Sequence, residues 1–92
     1  MSQSVPLRPS DRDGIRRVLI ESLSYVAPEA DGSSLQPTAD IREALDIDSM
    51  DFLRYVTKLH ALTGIDIPER DYSSVSTLRG AETYLALRLG VT

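Results

Sequence analysis

Apolar residues recur at helical spacing in three stretches of the chain. Ile15, Val18, Leu19, Leu23 and Val26 form the first stripe, and it predicts a helix over residues 11–26. Phe52, Tyr55, Val56, Leu59 and Leu62 form the second, with the i, i+3, i+4, i+7 pattern of one helix face over residues 49–63. Leu78, Ala81, Tyr84, Leu85 and Leu89 form the third. The stops and starts agree with these spans. Ser10 is placed to cap the first helix, with Asp11 and Asp13 in its first turn, where carboxylates meet the positive end of the helix dipole. Pro28 biases Ala27 out of the α region and ends it. Asp48 or Ser49 caps the second helix, and Gly64 follows its last turn. Thr77 caps the third and Gly90 ends it.

The segments between are unequal. Residues 28–47 form a long connection rich in loop chemistry: Pro28, the run Asp31-Gly32-Ser33-Ser34, and Pro37. Residues 38–45 can add a short helical turn with Ile41, Ala44 and Leu45 on one side, and Leu35, Ile41, Leu45 and Ile47 pin the connection to the core. Ile65-Asp66-Ile67-Pro68 alternates, but no other strand pattern exists to pair with it, so it reads as an extended loop burying Ile65 and Ile67. Residues 69–74 form a short helix around Tyr72, with Val75 turned inward. The expectation is an all-α, four-helix bundle: three main helices, one short helix, and a long loop between the first two main helices. A length of 92 residues fits a single domain. Its first nine residues, with Pro6 and Pro9, are expected to be loose.

Composition narrows the function. A net charge of −4 argues against nucleic acid as a partner, because phosphate contacts need clustered Lys and Arg. No cysteine is present, so thiolate metal sites and disulfides are excluded, and any thioester chemistry needs a thiol from a cofactor. The start of the chain lacks the basic and apolar regions of a signal peptide. No apolar run has the length to span a bilayer. The expectation is a free-standing cytoplasmic monomer with no membrane partner.

Ser49 is the candidate centre. Local sequence alone leaves it open as a plain N-cap serine. As a catalytic nucleophile it would need a base within hydrogen-bond reach. The single histidine, His60, lies eleven residues along the same helix, roughly 16 Å away at a rise of about 1.5 Å per residue. A Ser–His pair is thereby excluded within one chain. Asp40, Glu43, Asp46, Asp48 and Asp51 surround the serine, but their spacing is not that of a calcium loop, and no metal is expected.

The motif Asp48-Ser49-Met50 resembles the Asp-Ser-Leu of acyl carrier proteins, with Met in place of Leu. Ile67-Pro68 is similar to the family's Ile-Pro before its third helix, Thr77-Leu78 to the Thr-Val that starts its fourth, and Tyr84-Leu85 to its Tyr-Ile near the end. The spacing from Ser49 to Leu85 matches without a gap, and Leu45 resembles the leucine before the motif. Two positions depart from the pattern. Asp46 stands where the family usually has Gly. Arg54 and Lys58 interrupt a helix that is strongly acidic in fatty-acid carriers.

The resemblance implies an acyl-carrier fold and no catalysis by the chain itself. A phosphopantetheinyl transferase would modify the Ser49 hydroxyl with 4′-phosphopantetheine from coenzyme A. The thiol of that arm would carry an acyl group as a thioester between a loading ligase and downstream enzymes of lipid or secondary-metabolite synthesis. An aminoacyl or peptidyl cargo is the alternative within carriers, and a helical adaptor without covalent cofactor is the alternative outside them. Asp48, Met50, Asp51, Arg54 and Lys58 are the expected docking residues. A short acyl chain is expected to shelter between the three main helices and the long loop.

Overall fold

In the computed structural model, which describes residues 9–91, the three long helices form where the stripes place them. Helix α1 is Arg12–Val26, α2 is Ile41–Leu45, α3 is Ser49–Thr63 and α4 is Leu78–Leu89. Two 3-10 segments, Gly32–Ser34 and Glu69–Val75, punctuate the connections. No strand occurs among the described residues. The expectation for the loose leading segment lies outside the described residues except at Pro9.

The core is assembled from the expected stripes. Ile15, Leu19 and Leu23 of α1, Phe52, Tyr55, Val56 and Leu59 of α3, and Ala81, Leu85 and Ala86 of α4 are all buried in one cluster. Ile41, Ile65, Ile67 and Val75 join it from the connections, so each of these loops is held by an apolar anchor. Burying one such side chain contributes about 1.5–3 kcal/mol. Val18, Val26, Leu45, Tyr84 and Leu89 pack around the rim, half-buried.

Three polar bonds fix how the pieces meet. The Tyr55 hydroxyl, buried in the core, donates to the Val75 carbonyl at 3.0 Å and ties α3 to the end of the second 3-10 segment. Burial pushes that phenol far above its usual range. Ser76 accepts the Ile41 N–H at 2.8 Å, and Pro37 accepts the Arg79 N–H at 2.9 Å. The long connection is thus bonded both to the residue pair before α4 and to the first turn of α4. Gly80 lies where α4 passes under the 3-10 segment: a Cβ there would stand 2.6 Å from the Ser74 carbonyl oxygen, a distance that only glycine avoids.

Some details differ from the sequence reading. Asp11, not Ser10, caps α1, and its carboxylate accepts the Gly14 N–H at 2.8 Å. Carboxylates and hydroxyls cap about equally well, so the pattern alone does not choose between neighbours. Of the side shared by Ile41, Ala44 and Leu45, Ile41 is buried, Leu45 half-buried and Ala44 exposed. The helix over residues 38–45 shrinks to five residues because Asp40 caps it. The short helix around Tyr72 is a 3-10 segment that runs on to Val75.

Candidate functional site

The site is built at the turn from α2 into α3. Helix α2 ends with the Ile47 N–H donating to the Arg42 carbonyl at 3.1 Å and the Asp46 N–H donating to the Glu43 carbonyl at 3.4 Å. Those two bonds form the Schellman ending of a helix. It requires a left-handed residue, and Asp46 adopts φ 54° and ψ 50°. It is the one non-glycine residue with positive φ among the described residues. The position usually held by Gly in the resembling family therefore keeps a glycine-like backbone here. Asp is one of the few residues with a side chain that tolerates it.

Two residues later the chain enters α3. Asp48 is the cap: its backbone is extended, and its carboxylate accepts the Asp51 N–H at 2.9 Å. The Phe52 N–H donates to the Asp48 carbonyl at 3.0 Å. With Asp48 as cap, Ser49 becomes the first residue of the helix rather than its cap. Its hydroxyl is left out of the capping bond and the residue is exposed. The N–H groups of Ser49 and Met50 donate to no acceptor among the described residues. Free N–H groups at a helix start are suited to an anionic oxygen.

A groove of about 560 Å³ opens at Ser49, lined by Arg42, Ser49, Met50, Phe52, Leu53, Glu69 and Tyr72. It lies between α2, α3 and the second 3-10 segment. Core side chains fill the space among the three main helices, while the part of the expected shelter beside the long loop is open. A separate cavity of about 380 Å³ between α1, the long connection and α4 has neither Ser49 nor any other α3 residue in its wall.

The other expected site residues fall in two groups. Met50, 69% exposed, stands beside Ser49 with Asp48 and Asp51. Arg54 and Lys58 lie further along α3, on a shared face. Both cations stand over the ring of Tyr25, at 5.2 and 4.9 Å from its centre, and Arg54 also pairs with Asp51 at 3.6 Å. Tyr25, Leu53, Arg54, Thr57, Lys58 and Ala61 line a shallow groove of about 400 Å³. Leu53 belongs to both grooves. Tyr25 and Arg42 were not singled out in the sequence. Tyr25 lies off the apolar stripe of its helix, which is a signal that it faces outward. Arg42 reaches the site only through the α2–α3 turn, and no local spacing announces that.

Competing roles for nearby groups are constrained. His60 lies in the last turn of α3, and its ring contacts the Ile65 carbonyl at 3.0 Å. A carbonyl only accepts, so Nδ1 carries the proton and donates. Ser22 is buried within α1 and out of reach of any modifying enzyme.

Comparison with known proteins bears on the family of the chain. The profile of the family described as "Phosphopantetheine attachment site" matches residues 15–85. The chain is also similar to an acyl carrier protein of Rubrobacter xylanophilus, 31% identical over 55 residues that cover 60% of this chain and 68% of the relative. No solved structure matches significantly. The residues at the head of α3 fit the phosphopantetheine arm of such carriers: an outward serine, free N–H groups and a groove walled by Met50, Phe52, Leu53 and Tyr72 and also lined by Arg42 and Glu69. No helix among the described residues is long and apolar enough to cross a membrane.

The cap gives a direct test. Asp48→Ala should lower stability to urea unfolding by about 0.5–2 kcal/mol, while Asp48→Asn should hold it. Equal stability of all three proteins would contradict the capping role. The all-helical fold, the matched profile and the curated relative together place this chain in the acyl carrier protein family, whose members bear a covalent 4′-phosphopantetheine and are not themselves catalysts.

Proposed function

We propose that Ser49 is the attachment residue and that its arm carries an acyl group as a thioester. The observation that supports this best is the outward Ser49 at the first position of α3, opening on a groove and lying within the matched span. In the modification, the Ser49 oxygen attacks the phosphorus of coenzyme A that bears the pantetheine. The pyrophosphate bond breaks, the nucleotide 3′,5′-bisphosphate leaves, and the hydroxyl proton passes to a base of the transferase. The chain contributes a fixed helix start, through Asp48, and two N–H groups near the new phosphodiester. It contributes no thiol, because it has no cysteine; the arm supplies the sulfur.

On this reading the 92 residues form one carrier domain, working as a monomer in the cytoplasm. Its partners are a phosphopantetheinyl transferase, a loading ligase and enzymes that process the cargo. The acyl class is favoured over an aminoacyl or peptidyl cargo by Asp48 before the serine and by the name of the curated relative. Asp48, Met50 and Asp51 form the contact surface around Ser49. Arg54 and Lys58, stacked on Tyr25, form a cationic patch farther along α3. In a chain of net charge −4, such a patch selects partners with an acidic docking surface, since charge complementarity governs encounter and register.

Incubation with coenzyme A and a transferase should raise the intact mass by one phosphopantetheine, and Ser49→Ala should abolish the gain. A gain that persists in Ser49→Ala would place the arm elsewhere. The double reversal Arg54→Glu and Lys58→Glu should slow loading by the cognate ligase on the order of tenfold, mainly through association. An unchanged loading rate would remove the patch from docking.

A further inference from the structure

Five carboxylates, Asp40, Glu43, Asp46, Asp48 and Asp51, lie within the twelve residues that lead into and start α3. A phosphodiester on Ser49 is an anion placed among them. Like charges at this range are unfavourable, so its position depends on whatever opposes them. The N–H groups of Ser49 and Met50 supply part of that opposition. One further group in the groove supplies a full positive charge. Of the residues that line the groove at Ser49, Arg42 is the one cation.

Arg42 is held near the site by the backbone. Its carbonyl accepts the Ile47 N–H at 3.1 Å, and the left-handed Asp46 closes the turn. Helix α2 is therefore fastened to the residues just before the Asp48 cap. The guanidinium itself makes no ion pair or hydrogen bond among the described residues, in contrast to Arg12, Arg16, Arg54 and Arg88, which pair with Glu82, Glu82, Asp51 and Asp71. Arg42 is exposed, so an uncommitted side chain is available to turn towards an anion. It also stands between two spaces. Together with Phe52 and Tyr72 it lines both the groove at Ser49 and a smaller neighbouring groove of about 280 Å³ that runs towards Ser73 and Ser76. Phe52 and Tyr72 pack edge-to-face with ring centres 6.0 Å apart, which gives that shared wall a fixed apolar surface.

We propose that Arg42 is a positioning residue for the arm: its guanidinium pairs with the phosphodiester on Ser49 and turns the arm along the Phe52–Tyr72 wall. A guanidinium presents two parallel N–H groups to two phosphate oxygens, a geometry that lysine does not reproduce. The paired phosphate holds the first segment of the arm over α2, and its branched methyl groups rest on the aromatic wall. The sequence departure at Arg54 and Lys58 has no part in this, because Arg54 is turned to Asp51 and Tyr25. The inference rests on Ser49 being the attachment residue.

The experiment converts wild type, Arg42→Gln and Arg42→Lys to the holo form with coenzyme A and a transferase, and confirms each by intact mass. Phosphorus NMR then reads the phosphodiester directly. Wild type should give a broadened, shifted phosphorus line and proton contacts between the arm's methyl groups and the Tyr72 ring. Arg42→Gln should give a line narrowed towards that of the urea-unfolded holo protein and lose those contacts, with Arg42→Lys between the two. The Arg42 side-chain N–H signal of wild type should also move when the apo protein becomes holo, a readout that needs no variant. Full mass gain with identical phosphorus lines in wild type and Arg42→Gln, or an Arg42 signal that stays in place, overturns the role of Arg42 and leaves the attachment intact. Absence of any mass gain in wild type overturns the attachment reading itself.

Discussion

The carboxylate of Asp48 on the N–H of Asp51 is the bond around which the site is arranged. It decides which residue is the cap and which is the first residue of the helix. Were Ser49 the cap, its hydroxyl would be spent on a backbone N–H and turned into the helix. With Asp48 in that role, the serine hydroxyl is left outward and the next two N–H groups stay open. The turn before it serves the same end. A left-handed Asp46 reverses the chain within two residues, so α2 and α3 meet at the serine instead of passing it by.

That arrangement would have no fixed place without the packing behind it. Helix α3 is clamped by core contacts along one face and by the Tyr55 hydroxyl on the Val75 carbonyl. An unpaired buried hydroxyl or carbonyl there would cost about 1–3 kcal/mol. The same bond fixes the 3-10 segment that carries Tyr72 and Glu69, which form the far wall of the groove. At the other end of that segment, Asp71 accepts from the Tyr84 hydroxyl at 2.8 Å and pairs with Arg88 at 3.4 Å. Burial and then the Asp71 bond push the Tyr84 phenol up. The groove is thus a by-product of how the third and fourth helices hold a short irregular segment between them.

Much of this was legible in the order of residues. Period and caps gave α1, α3 and α4 to within a residue or so, because amphipathic stripes bounded by Pro28, Gly64 and Gly90 leave little freedom. Ser49 stood out for the same reason: it is at a helix start, and the residues downstream repeat a known spacing. What could not be read depended on three-dimensional meetings. The choice of Asp11 over Ser10 turns on which carboxyl or hydroxyl reaches the Gly14 N–H. Ala44 is exposed because α2 buries only Ile41 fully. Tyr25 meets Arg54 and Lys58 across two helices, and Arg42 reaches the groove around a turn set by one left-handed residue. Neither meeting leaves a trace in local periodicity.

A single oxygen, that of Ser49, decides the assignment, and the protein recovered from its native cell reports on it. Proteolytic digestion followed by tandem mass spectrometry should find one peptide that releases a phosphopantetheine fragment on activation, with the modified residue mapped to Ser49. A native protein whose Ser49 peptide is wholly unmodified, or whose arm maps to another serine, would contradict the account.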